Sequence, residues 1–149
     1  MAMADVQPLL APLPVRRARA EPARLKRIGE WQHGDALLLA VTDEPHDRFA
    51  SASLIAIDFP SFSDGRGLSL AVLLRTRLGF TGELRAVGAL QPDLVHYLWR
   101  CGFDSVELHG ECLRLADIEY RGVLAPYSDY YQASVLEPQP AYRRIRRGA

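Results

Sequence analysis

Apolar residues come in short unbroken runs through the middle of the chain, separated by polar, glycine-bearing stretches. Ala36-Leu37-Leu38-Leu39-Ala40-Val41 and Leu54-Ile55-Ala56-Ile57-Asp58 have strand length, and such continuous apolarity predicts strands covered on both faces of a parallel sheet. Between them, Thr42 to Asp47 is a polar connection in which Pro45 opposes a helix. The period then changes. Leu70, Leu73, Leu74 and Leu78 recur at helical spacing and predict a helix over 68–78 that Gly79 stops, with Phe80 folding back on it. A third strand follows from Glu83 to Val87, between Gly82 and Gly88. Pro92 and Asp93 open a second helix with Leu94, Val95, Leu98 and Cys101 on one side, and Gly102 ends it. Ser105 to Leu108 is the fourth strand, and a last helix over roughly 117–132 puts Tyr120, Leu124, Tyr127 and Tyr131 on one core-type stripe, kinked at Pro126.

A weak repeat runs through this pattern. Arg77-Leu78-Gly79-Phe80 precedes Glu83-Leu84 as Arg100-Cys101-Gly102-Phe103 precedes Glu107-Leu108. The unit is helix, Gly-Phe turn, strand, and two units joined to the earlier strand, loop and helix give β-α-β-α-β. The expected fold is a single α/β domain: a mainly parallel sheet of about four strands in βαβ units with right-handed crossovers, plus a C-terminal aromatic helix. A partial β/α barrel has the same local units and stays open as the alternative. The domain spans 25–133, after a proline-bearing basic arm at 1–24 and before a basic tail at 134–149.

Composition narrows the class. A chain of 149 residues, 48% hydrophobic and 24% charged, buries a core without disulfides or a metal. Cys101 and Cys112 are too far apart for a CxxC pair, and no run approaches the ~20 apolar residues of a membrane span. A cytoplasmic protein with no membrane partner is expected. Net charge is +0, but Arg16, Arg17, Arg19, Arg24, Lys26 and Arg27 crowd one end and Arg143, Arg144, Arg146 and Arg147 the other, around an acidic body. These ends either contact an acidic partner or are solvated; without a nucleic-acid motif or interleaved aromatics, nucleic acid is not expected as a partner.

Ligands of parallel α/β sheets bind off the carboxyl ends of the strands. Thr42 and Asp43 lie there after the first strand, Asp58 and the loop Ser63-Asp64-Gly65-Arg66-Gly67 after the second, Gly88 after the third, and His109, Gly110 and Cys112 after the fourth. The loop is the strongest candidate: two glycines for a tight turn, a helix N-terminus, and a guanidinium suited to an oxyanion such as sulfite, sulfate, phosphate or a carboxylate. Equally, Asp64 caps the helix and Arg66 pairs with Asp58 or Asp64. His109 is a candidate acid or base and Cys112 a candidate thiol, against the plainer reading of both as loop residues. Asp58 and Asp64 lack a third ligand at sensible spacing, so no metal site is expected.

The segments Ala56-Ile57-Asp58-Phe59-Pro60-Ser61-Phe62-Ser63-Asp64-Gly65-Arg66-Gly67, Leu73-Leu74-Arg75, Gly79-Phe80-Thr81-Gly82-Glu83-Leu84-Arg85-Ala86-Val87-Gly88 and Arg100-Cys101-Gly102-Phe103-Asp104-Ser105 resemble a bacterial family called domain of unknown function 934. The match is close over Leu54 to Glu107 and looser to Tyr130-Tyr131-Gln132. Members are commonly described as oxidoreductases of sulfite reduction, because their genes neighbour those of sulfite reductase and sulfate assimilation. Leu68 stands where the family pattern has tyrosine after the second glycine, so no hydroxyl role carries over to it. The resemblance implies a place in cysteine biosynthesis, while the sequence itself holds no dinucleotide fingerprint, cluster-ligating cysteine set or haem motif. No cofactor is expected in the chain itself, and electrons would come from a separate donor.

Two readings follow. The favoured one is an accessory protein of assimilatory sulfate and sulfite reduction, partnering a sulfite reductase hemoprotein or its electron donor and offering Asp58, Ser63, Asp64, Gly65, Arg66 and Gly67 to a sulfur oxyanion. The alternative is a small oxidoreductase-type enzyme acting on that oxyanion, with Arg66 binding and His109 or Cys112 doing proton or thiol chemistry.

Overall fold

Chain order and strand order coincide. The computed structural model describes residues 23–117, 133–135 and 138, in the order β1 (Leu25–Arg27), β2 (Ala36–Ala40), β3 (Leu54–Phe59), α1 (Arg66–Thr76), β4 (Glu83–Gly88), α2 (Val95–Arg100), β5 (Ser105–Leu108) and β6 (Glu111–Arg114). Short 3-10 turns at Asp47–Ser51, Pro92–Leu94 and Leu115–Asp117 join them. The six strands form one sheet ordered β1-β2-β3-β4-β5-β6, parallel from β1 to β5 and closed by an antiparallel β6. The fold is thus the mainly parallel α/β sheet expected, with six strands instead of about four. The two added strands are edges: Leu25–Arg27 is two-thirds charged and Glu111–Arg114 is charged at both ends, since an edge strand needs little apolar surface. The C-terminal aromatic helix, the arm up to residue 22 and most of the tail lie outside the described residues.

Alternation assigns the two faces of the sheet. Leu37, Leu39, Ile55, Ile57, Phe59, Leu84, Ala86 and Val106 point to one side and join Leu70, Ala71 and Leu74 of α1 with Val95 and Leu98 of α2 in the main core. Both helices therefore pack on that face. The opposite face carries Ala36, Leu54, Ala56 and Val87 as a smaller cluster and, farther along, a buried polar group. There Arg85, 3% exposed, donates to Glu83 (Nη2–Oε1 2.7 Å) and to Ser105 Oγ at 3.1 Å, and Ser105 donates to Glu83 at 2.6 Å. These contacts satisfy a charge that could not otherwise be buried.

The repeat unit folds as its sequence predicts. Gly79 and Gly102 take φ of +68° and +97°, and the amides that follow return to the helix, Phe80 N–H to the Leu74 carbonyl at 3.0 Å and Phe103 N–H to the Leu98 carbonyl at 3.1 Å. A single side chain holds the two turns together. Arg75 donates to the carbonyls of Phe80 (2.7 Å), Gly82 (2.9 Å) and Gly102 (2.9 Å) and to Asp104 Oδ2 (2.6 Å). Asp104 Oδ2 in turn accepts the Leu84 amide at 3.0 Å, which ties the start of β4 to the same clamp.

Candidate functional site

Because β1 to β5 run one way, their carboxyl ends share an edge, and α1 begins there. The loop from β3 to α1 is organised by its own side chains. Ser61 Oγ lies 2.9 Å from Ser63 Oγ, and the Asp64 amide donates to the Ser61 carbonyl at 3.1 Å. Asp64 accepts three bonds from Arg66: backbone N at 3.2 Å and Nε at 2.9 Å on Oδ1, Nη2 at 2.6 Å on Oδ2. This bidentate fork holds the Asp64 carboxyl below its ordinary range and raises the Arg66 guanidinium. Of the alternatives open in the sequence, Arg66 takes the pairing with Asp64.

The glycines serve the backbone and the core. Gly65 precedes α1 with φ −67° and open space around it, whereas a Cβ on buried Gly67 would collide with the Phe59 ring. Gly67 thus lets α1 sit directly on the last residue of β3. Asp58 is not brought to this loop. Alternation turns it to the other face of the sheet, where it pairs with Arg27 of β1 at 3.4 Å and lies against Gly88.

His109 and Gly110 are the two-residue turn between β5 and β6, with φ of +50° and +77°. Positive φ at both positions is the twist a tight hairpin demands. His109 is exposed at the same edge as Asp64, but two strands away along the sheet. Cys112 has left the edge: it lies on β6 opposite Glu107. Burial is the main cause raising its thiol, opposed by Arg85 and reinforced by Glu83 and Glu107. Cys101 is raised likewise, by burial against the opposing charge of Arg100. In both cases burial favours the thiol over the reactive thiolate. Among the described residues no cluster of three or more His, Cys, Asp or Glu could hold a metal ion, and no helix is long and apolar enough to cross a membrane.

A family model described as Bacterial protein of unknown function (DUF934) matches residues 38–142. The chain belongs to that family. The DUF934 match covers the sheet from the middle of β2 onward, α1, α2 and the Asp64–Arg66 loop. No curated protein and no solved structure matches it.

Two features of this DUF934 edge were not drawn from the sequence. Phe62 and Tyr97 are the exposed large hydrophobic residues among those described, 54% exposed each. Residues from the β3–α1 loop and from α2 meet there, so that both rings line one cleft of about 250 Å³ floored by Phe59, Leu68 and Leu94 and edged by Asp64. The signal was present: Phe62 lies between two serines, and Tyr97 falls off the apolar stripe of its helix. On the other flank of α1, Arg66 lines a second cleft, of about 400 Å³, with Thr42, Asp43 and Glu44. Charge at this edge leans negative, with Asp43, Glu44, Asp58 and Asp64 set against Arg27 and Arg66.

Proposed function

We propose that the protein is an accessory factor of sulfite reduction that works by docking, its carboxyl edge meeting a sulfite reductase hemoprotein or the electron donor of that enzyme. The observation that carries the docking half is the exposed pair Phe62 and Tyr97 on one cleft, since water-exposed rings at a shaped depression are the residues that dominate protein interfaces. The sulfur half rests on the resemblance in the segments from Ala56 to Ser105. The fork at Arg66 fits docking better than capture of an oxyanion. A sulfite ion reaching this guanidinium has to displace Asp64 from a bidentate bond and enter a field that Asp43 and Glu44 make more negative.

The test is retention of the hemoprotein by the tagged full chain at low salt, compared with the Phe62→Ala, Tyr97→Ala double variant. Docking predicts retention by the first and loss of most of it by the second. A deletion strain should in parallel grow poorly on sulfate and normally on cysteine. Growth on sulfate equal to wild type removes the sulfur assignment, and equal retention by the double variant removes the site.

A further inference from the structure

We infer that the cleft between the β3–α1 loop and α2 seats one cationic side chain of a partner protein, an arginine guanidinium, between Phe62 and Tyr97. The inference rests on the docking reading and names what is recognised. Size is the first support. About 250 Å³ falls short of the roughly 300–1,000 Å³ of small-molecule pockets and suits one long side chain entering end-on.

Charge is the second support. The charged group in the lining is Asp64; Asp43 and Glu44 stand with Arg66 on the other flank of α1, and exposed Asp93 adjoins the lining residue Leu94 in sequence. Asp64 has capacity left. Its Oδ1 accepts two bonds from Arg66 while Oδ2 accepts one, and a carboxylate offers about four lone-pair positions. An incoming guanidinium can donate to Oδ2 while its plane lies against a ring, combining a charge-assisted bond with a cation–π contact. An apolar side chain would fill the same space and leave the negative edge unanswered; a free anion would be repelled by it.

The experiment titrates the full-length protein with acetyl-Gly-Arg-Gly-amide and follows the ring resonances of Phe62 and Tyr97 by NMR. Peptides with citrulline or phenylalanine at the centre serve as comparisons. Citrulline keeps the shape of arginine and loses the charge. The arginine peptide should shift both rings and bind at least about fivefold tighter than citrulline, with the preference falling as salt screens the site. Phe62→Ala and Tyr97→Ala should each weaken it about threefold, and Asp64→Asn should remove most of its salt dependence. Melting curves establish that each variant is folded, which exposure of both rings favours.

Equal binding of citrulline, tighter binding of the phenylalanine peptide, or rings that do not move overturns the inference. So does a cleft already filled by the chain's own arginines, seen as ring shifts that change when residues 143–149 are removed or the protein is diluted. The outcomes separate the two proposals. Retention of the hemoprotein that depends on Phe62, without arginine preference, keeps docking and discards the guanidinium; arginine preference without retention does the reverse.

Discussion

Replacing Arg75 by methionine keeps the apolar stem of the side chain and removes every polar contact of its guanidinium. In the native protein that group, 14% exposed, donates to the carbonyls of Phe80, Gly82 and Gly102 and to Asp104, and lies 5.6 Å from the centre of the Phe80 ring. Hydrogen bonds to a charged group contribute roughly 1.5–3 kcal/mol each, but they are not additive here because the freed turn carbonyls can recover water. Asp104 is 52% exposed, so its ion pair is screened and adds at most about 1 kcal/mol. The expected loss is therefore about 3–5 kcal/mol, close to that for breaking a buried charged network. For a chain of this length it lowers the melting temperature by roughly 6–20 °C.

Urea unfolding followed by tryptophan fluorescence and circular dichroism measures it. Arg75→Lys, which supplies a charge but no fork, should lose about half as much, and Asp104→Asn about 1 kcal/mol or less because its amide oxygen can still accept the Leu84 N–H. A loss below about 1 kcal/mol in Arg75→Met, with an unchanged denaturant slope, would refute the clamp.

Three further outcomes are expected. Arg66→Ala should raise the Asp64 carboxyl toward its ordinary value in an NMR titration. In the native protein, the fork's contribution is present at neutral pH and lost only as pH falls through the depressed Asp64 value; an unchanged Asp64 titration in the variant contradicts this. Gly65→Ala should change stability by less than about 0.5 kcal/mol, whereas Gly67→Ala, driven into the Phe59 ring, should cost about 1–3 kcal/mol, and equal effects would show that α1 does not rest on β3 as described. His96 is held below the usual imidazole range by burial first and by Arg100 second. Stability should therefore decline as pH drops from about 6.5 through the depressed value, and His96→Gln should flatten that slope; the same slope in the variant assigns it elsewhere.

The regular part of the fold was legible because each signal was local. Gly79 and Gly102 announce their turns within one residue of the apolar stripes they end, and the interior runs at 36–41 and 54–58 could only be covered strands. The boundaries of α1 moved from 68–78 to Arg66–Thr76, since Asp64 and Gly65 organise its start at Arg66, four residues ahead of Leu70, the first stripe leucine. What sequence could not deliver was juxtaposition. Arg75 reaches Gly102 across 27 residues, and Phe62 comes to line one cleft with Tyr97 only after α1 and β4 intervene. Asp58 and Arg66 show the opposite case: close in sequence, they are parted because strand alternation and a helix entry send their side chains to different faces. His109 and Cys112 part for a related reason, a two-residue turn that reverses the chain between them.

Strand order that follows chain order bears on how the protein is made. Each strand from β2 to β6 finds its partner in the strand synthesised just before it, and none must be threaded between two already joined. The longest step is the one from β3 to β4, spanned by α1. As the chain leaves the ribosome the sheet can therefore lengthen by accretion, one strand at a time, with little loop-closure entropy at each step. Arg75 is synthesised before either turn it clasps and cannot complete its bonds until Gly102 and Asp104 have emerged. The clamp therefore closes last, at the two residues that lead into β5.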